Sequence, residues 1–248
     1  MDVIIDSSDR DKNSYPNPAD YVIKLPFTIR SVKYIELMSM QLTRTEPAIN
    51  SGNNTFTYTV DGQSYRVTLP VGDYASNEQD CVVRCVKKAL RQIHTTVEVS
   101  RTDTYKLQII DTLPFSVQIP EGTASLLGIP QGTPTAELDP STNMYKITGT
   151  RMINTQGIPY LILYINDYTR IVSPTNQLNR AYMLIPLESK RYMDRFVINN
   201  DEKEKKGKYK LMDQQRTLHQ FRVRFTRPDG SLYDFNGVDH HITFKLSS

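Results

Sequence analysis

Short segments in which apolar and polar residues alternate recur along the chain and predict β-strands. In residues 20–25, Tyr21, Ile23 and Leu25 occupy every second position, as in a strand with one buried face. Further β-rich segments are residues 31–45, 55–60, 64–69, 97–99, 105–110, 115–119, 145–148, 160–165, 181–185, 196–198, 218–226 and 241–246. Their number and spacing predict an all-β fold, either a sandwich or a jelly roll.

Turn and helix signals interrupt these strands. Asp61-Gly62 lies between two β-rich segments and predicts a two-residue hairpin. Residues 76–79 (SNEQ) match a helix capping box, and the apolar residues that follow at helical spacing predict one amphipathic helix packed on the sheet. A shorter helix is predicted over residues 123–127, with Gly128 as its left-handed C-cap.

Composition and charge exclude several classes of protein. The length of 248 residues suits one all-β domain, and 38% hydrophobic residues suffice for a core. A formal net charge of +3 is too small to predict direct nucleic-acid binding. No segment approaches the roughly 18 apolar residues of a membrane span, and no secretory signal follows Met1. Cys81 and Cys85 are four residues apart within the helical pattern, so we expect two thiols in a cytosolic protein.

Residues that could carry out chemistry are few. His94, His219, His240 and His241 do not have the spacing of a zinc site or a catalytic triad. His240 and His241 are adjacent, so a strand would direct them to opposite faces. No nucleophile motif or phosphate-binding glycine loop is present. We therefore expect no enzymatic activity, no metal and no cofactor, and a metal-dependent enzyme on a jelly roll is the alternative.

A stripe of arginines follows one predicted strand. Arg222 and Arg224 alternate with Phe221, Val223 and Phe225, which predicts one apolar face and one arginine-rich face. Arginine is enriched where proteins meet, so the stripe is either a subunit contact or a plain solvent-exposed face.

Several segments resemble single jelly-roll capsid proteins of large icosahedral double-stranded DNA viruses, which include pentons and minor capsid proteins. The segments are residues 5–11 (IDSSDRD), 15–21 (YPNPADY), 32–45 (VKYIELMSMQLTRT), 69–74 (LPVGDY) and 124–129 (ASLLGI), together with the C-terminal strands up to Leu246. The likeness covers most of the chain.

This resemblance implies a single jelly-roll domain over residues 1–248, with an N-terminal arm at 1–19 and a helix-containing insertion at about 71–130. The implied function is structural: a virion capsid protein assembled in the host cytoplasm, most specifically a penton that forms pentamers at the fivefold vertices. Its expected partners are copies of itself, the major capsid protein and other minor capsid proteins. The alternative role is a minor capsid protein that cements the shell from beneath.

Two sets of residues are candidate contacts. The extended arm either packs on its own domain or reaches a neighbouring subunit. The expected subunit contacts are Asp9, Arg10, Tyr15, Pro16, Asn17, Pro18, Arg222 and Arg224. A second alternative function is a glycan-binding module at the vertex, in which exposed tyrosines stack on sugar rings: Tyr164, Tyr168, Tyr182 and Tyr192.

Overall fold

The structure is a computed structural model that describes residues 1–74, 80–187, 192–199, 208–210 and 216–247. The capping-box residues 76–79 lie outside these ranges. The described chain forms two compact units. The first comprises Met1–Glu46 and Ile158–Ser248, and the second comprises Pro47–Gly157.

The described elements are mostly strands. In chain order they are β1 (Asp2–Asp6), a 3-10 helix (Ser7–Asp9), β2 (Asp20–Val32), β3 (Tyr34–Thr43), β4 (Thr55–Val60), β5 (Gln63–Thr68), α1 (Asp80–Arg91), β6 (Glu98–Arg101), β7 (Leu107–Asp111), β8 (Phe115–Gln118), α2 (Glu121–Leu127), β9 (Glu137–Asp139), β10 (Met144–Thr148), β11 (Tyr160–Ile165), β12 (Met183–Pro186), β13 (Arg195–Asn199), β14 (Lys208–Lys210), β15 (Arg216–Thr226) and β16 (His241–Ser247).

The first unit has the strand order of a jelly roll. One sheet runs β1-β16-β3-β13, with β14 also paired to β3, and the other runs β12-β11-β15-β2. The pairs are antiparallel. If β13 and β14 are counted as one strand, eight strands are divided between two four-stranded sheets in the double Greek-key order of a jelly roll. The predicted fold class is confirmed.

The core of the first unit lies between these sheets. Phe221 on β15 stacks on Phe244 of the opposite sheet, with ring centroids 5.3 Å apart. Phe225 meets Phe235 edge-on at 5.2 Å. Because side chains alternate along a strand, burial of Phe221, Val223 and Phe225 directs Arg222 and Arg224 to the outer face.

Strand β2 is longer than the alternation predicts. The sequence pattern ends the strand at Pro26, whereas β2 continues to Val32. Proline lacks an amide donor, but β2 is an edge strand, so one side of its backbone needs no ladder partner. The pairing of β2 with β15 contains two register shifts, between Arg216 and Leu218 and between Leu218 and Gln220.

The second unit has its own core. Its strands form the sheets β6-β7-β10-β9 and β5-β4-β8. Helix α1 contributes its apolar stripe to this core, as predicted: Val82, Val83, Val86 and Leu90. The helix-containing insertion expected at about 71–130 lies inside this unit, which extends beyond it at both ends.

Two glycines of the second unit occupy the predicted left-handed positions. Asp61 and Gly62 have φ angles of 50° and 72°, the combination that a type I′ hairpin turn requires. Gly128 caps α2 at φ 70°, and its amide donates to the Ala124 carbonyl at 3.0 Å. The predicted hairpin and C-cap are both present.

The two segments of the first unit that flank the second unit both contact Leu187. Arg44 Nη1 lies 3.5 Å from the Leu187 carbonyl oxygen. The Leu187 amide donates to the Pro159 carbonyl at 2.8 Å. The chain therefore leaves and re-enters the jelly roll at neighbouring positions.

Candidate functional site

The outer face of the sheet β12-β11-β15-β2 carries a cluster of polar and charged residues. In the register of this sheet, Tyr164 on β11 lies opposite Arg224, and Arg224 lies opposite Asp20 on β2. The two arginines predicted as contacts are therefore side by side on an exposed face, as the period-two pattern requires.

Residues after β11 border these arginines and form a groove of about 550 Å³, which we call the arginine groove. It is lined by Tyr164, Asn166, Asp167, Thr169, Asn176, Asn179, Arg180, Arg222 and Arg224. Its size is within the roughly 300–1,000 Å³ typical of ligand pockets. Among the described lining residues, the Tyr164 ring is the one large apolar side chain.

Some charged side chains of the arginine groove form ion pairs and others do not. Arg222 donates to both oxygens of Asp20, from Nε at 3.3 Å and Nη2 at 3.2 Å, and this hydrogen bonding raises the pKa of Arg222. Asp167 accepts two hydrogen bonds from Arg216 Nη1. Arg224 instead lies over the Tyr164 ring, 6.0 Å from its centroid. Within the described part of the chain, neither Arg224 nor Arg180 has a carboxylate partner.

The backbone of two groove residues is left-handed. Asn166 has a φ of 47° and is fixed to β15, because its amide donates to the Arg222 carbonyl at 2.8 Å and its Oδ1 accepts from the Arg222 amide at 2.7 Å. Arg180 has a φ of 72°. Asparagine tolerates this region well, whereas arginine adopts it at a cost.

The arm lies against its own unit. Arg10 is buried, and its guanidinium donates to the Ser7 carbonyl at 2.5 Å and the Tyr15 carbonyl at 3.0 Å. It also forms an ion pair with Asp239 at 2.5 Å. These bonds hold residues 7–16 onto the C-terminal part of the jelly roll.

The eight predicted contact residues differ in their exposure. Asp9, Pro16, Arg222 and Arg224 are exposed, Tyr15 and Asn17 are half-buried, and Arg10 and Pro18 are buried. Burial within their own unit leaves Arg10 and Pro18 little side-chain surface for a neighbour. Subunit contact stays a prediction for all eight residues.

A buried polar cluster fixes the base of the arm. The Ser7 amide donates to the His240 carbonyl at 2.8 Å, and the Ser7 hydroxyl donates to Asp239 at 2.9 Å. Burial works to raise the pKa of Asp239, but hydrogen bonds from Arg10 and Ser7 outweigh it and lower the pKa. His240 Nε2 lies 3.1 Å from the Tyr21 hydroxyl, and burial lowers the pKa of His240 to about 3. His240 is thus neutral at physiological pH.

Half of the tyrosines predicted to stack on sugars are unsuited to it. Tyr168 and Tyr182 are buried in the jelly-roll core, so a ligand cannot reach their faces. Tyr164 and Tyr192 are half-exposed, and the Tyr164 hydroxyl donates to the Gln177 carbonyl. The sequence does not reveal which of these tyrosines the core covers.

The second unit contains a buried network that the sequence did not reveal. Asp111 is fully buried and accepts from Tyr58 at 2.6 Å, from Thr96 at 2.6 Å and from His94 Nδ1 at 2.7 Å. Burial works to raise the pKa of Asp111, but these hydrogen bonds lower it overall. The network joins the segment after α1 to strands β4 and β7.

The described residues contain neither a metal-binding cluster nor a membrane-spanning helix. No group of three or more His, Cys, Asp or Glu side chains in these ranges is arranged to hold a metal ion. No helix in them is long and apolar enough to cross a membrane.

Comparisons with known proteins identify a family model that matches part of the chain and solved structures that resemble it. The sequence model of a family of unknown function (DUF5901) matches residues 1–78. No curated protein sequence matches the chain. The structure is similar to the crystal structure of the SeMet-labelled mavirus penton protein, with a TM-score of 0.49 and 10% sequence identity over 100% of this chain and 99% of that chain. Strand order and register define the jelly roll of the first unit.

Proposed function

We propose that the protein is a structural capsid protein whose jelly-roll unit assembles into a homo-oligomer, most specifically a penton pentamer. The observation that carries this proposal is the strand order of the first unit, which is that of a jelly roll. The sequence resemblance to jelly-roll capsid proteins agrees with it. The catalytic alternative has less support, since the carboxylate of the His94–Asp111 network is occupied by structural donors.

Exposed apolar side chains on the sheet edges support association with other subunits. Ile4 on β1 is 69% exposed and Val197 on β13 is 54% exposed. These strands are the opposite edges of one sheet. Phe27 on edge strand β2 is 59% exposed. Large exposed apolar residues on sheet edges promote aggregation of a monomer. In an oligomer the same residues supply apolar contact area at the subunit interface.

The positions of Ile4 and Val197 agree with a ring. A closed ring requires two different surfaces on each subunit, so that the head of one meets the tail of the next. Opposite edges of one sheet supply two such surfaces. The pentamer, the vertex position and the major capsid protein as a partner are parts of the same proposal.

Substitutions at these edges test the proposal. Ile4→Lys and Val197→Lys are each expected to shift the protein towards monomer in sedimentation-velocity experiments, because a charge replaces an apolar contact. Val172→Lys is the matched control, since Val172 is 89% exposed but lies outside the strands. Its sedimentation should match that of the wild type.

Two outcomes would contradict the proposal. If both edge variants sediment as the wild-type oligomer does, these edges are not the interface. If the wild type is a monomer that binds assembled shells of major capsid protein, the minor capsid role replaces the penton role.

A further inference from the structure

We propose that the arginine groove binds an anionic sugar, that is, a polyhydroxylated ring that bears one carboxylate or sulfate group. This inference is independent of the capsid role, since it rests on the lining of the groove. It differs from tyrosine-based stacking, because the groups that select the ligand are arginines and asparagines.

The anionic group of the ligand would be held by the arginines without a carboxylate partner. Arg222 is engaged by Asp20, and the one groove carboxylate, Asp167, is engaged by Arg216. Arg180 and Arg224 keep their guanidinium donors available within the described part of the chain. A guanidinium presents two parallel N–H donors that match the two oxygens of a carboxylate or sulfate.

The hydroxyl groups of the sugar would be met by asparagine and threonine side chains. Asn176 and Asn179 are exposed and Thr169 is half-exposed at the groove wall. Among the described residues, none of these three side chains has a hydrogen-bond partner. An amide offers a donor and an acceptor side by side, which suits neighbouring hydroxyls of a sugar ring.

The lining favours a sugar over an acidic protein segment. Tight peptide contacts depend on buried apolar and aromatic anchors, and the large apolar surface here is limited to the Tyr164 ring, which Arg224 already approaches. A ligand rich in hydroxyl groups needs hydrogen-bonding partners more than apolar area, and these partners line the groove.

Backbone strain at Arg180 agrees with a ligand role. A left-handed conformation at a residue with a bulky side chain is costly, and such strain concentrates at binding sites where it orients a functional group. Glycine at this position would remove the strain together with the guanidinium. Stability and binding are therefore expected to change in opposite directions.

Titration calorimetry of the full chain with three saccharides tests the proposal. The probes are 3′-sialyllactose, which carries a carboxylate, a sulfated heparin disaccharide, and uncharged lactose. We expect one of the two anionic probes to bind at least tenfold more tightly than lactose, and the one that does so identifies the anionic group. Inorganic sulfate at the same concentration should compete weakly, because it lacks the ring.

Variants locate the binding in the groove. Arg224→Gln is expected to weaken binding of the anionic probe at least tenfold, since a charged bidentate contact is lost. Arg180→Gly should also weaken binding while it keeps or raises the unfolding temperature, which separates loss of function from misfolding. Arg30→Gln makes the same charge change as Arg224→Gln at an exposed position towards the other end of β2, and its affinity should stay within twofold of the wild type.

Three results would overturn the proposal: no binding of either anionic saccharide at millimolar concentration, equal binding of lactose or sulfate, or unchanged affinity in Arg224→Gln. A different pair of results would mean that the groove holds an acidic segment of another subunit. These results are that the wild-type protein binds none of the saccharides and that Arg224→Gln lowers the mass of an oligomer.

Discussion

At the scale of single residues, Arg10 shows how the fold uses a side chain that the sequence suggested for contact with a neighbour. Its guanidinium is an internal anchor that bonds to backbone carbonyls of the arm and to Asp239. The arm sequence, rich in proline, asparagine and aspartate, predicts an extended path but not the surface on which that path lies.

Replacement of Arg10 should destabilise the first unit. Arg10→Ala removes the guanidinium partner of the partly buried Asp239 carboxylate and of two backbone carbonyls, and we expect a loss of about 3 kcal/mol in the free energy of unfolding. Urea denaturation measures this loss. Asp9→Ala, an exposed arm residue, should cost less than roughly 0.5 kcal/mol. Equal, small losses for both variants would mean that the arm is not fixed by Arg10.

His240 predicts a pH dependence of stability. Burial lowers the pKa of His240 to about 3, whereas an unfolded chain takes up the proton near the ordinary value of 6.5. Its contribution is therefore fully present above pH 6.5 and is lost as the pH falls from 6.5 towards 3, at about 1.4 kcal/mol per pH unit at most. The lowered pKa of Asp239 adds its own loss below its ordinary value of 3.8.

Urea denaturation between pH 7 and pH 4 isolates the histidine contribution. In His240→Phe the free energy of unfolding should fall less steeply over this range, because the buried titrating ring is gone. His219→Phe replaces an exposed histidine and should keep the wild-type slope. Parallel curves for wild type and His240→Phe would contradict the role given to His240.

At the scale of elements, local turn chemistry was predicted and long-range pairing was not. The Asp61-Gly62 hairpin and the Gly128 cap follow from residues within a few positions of each other. The Asp111 network joins Tyr58, His94 and Thr96 from separate elements, and the continuation of β2 past Pro26 depends on β2 being an edge strand. Both features depend on which strands pair with each other. The alternation of apolar and polar residues does not determine that pairing.

Two glycines have the same backbone conformation but different surroundings. Alanine substitutions at the two positions therefore distinguish the cost of backbone strain from the cost of a steric clash. Gly62 and Gly128 have φ angles of 72° and 70°. A Cβ at Gly62 would meet nothing within 4 Å, whereas a Cβ at Gly128 would lie 2.3 Å from the Arg151 carbonyl oxygen. Gly62→Ala should cost about 1 kcal/mol, the ordinary cost of left-handed alanine.

Gly128→Ala should cost at least about 2 kcal/mol more, because backbone must move to admit the methyl group. Thermal unfolding followed by circular dichroism compares the two variants. Similar unfolding temperatures would show that the segment around Arg151 adapts without cost.

At the scale of the whole molecule, the jelly roll is interrupted between β3 and β11 by a unit with its own core. The sequence indicated a helix-containing insertion at about 71–130 but not the bounds Pro47 and Gly157. The residues at both boundaries are irregular and include Pro47 and Gly157, but similar turn residues recur along the whole chain, so composition does not mark these two positions as unit boundaries.

The separate cores predict that the jelly roll folds without the second unit. We expect that replacement of residues 47–157 by a short Gly-Ser linker leaves a soluble protein with one cooperative unfolding transition, because both flanking segments already meet at Leu187. Calorimetry and circular dichroism report the outcome. A protein that aggregates or lacks a transition would show that the jelly roll needs the second unit to fold.

The central claim, that this jelly roll assembles into a penton, is tested most directly by native mass spectrometry of the purified full-length chain. The account predicts a species of five times the 28.5 kDa chain mass, which dissociates when Ile4 or Val197 is replaced by lysine. A chain that remains a monomer at every concentration and does not enter particles would contradict it.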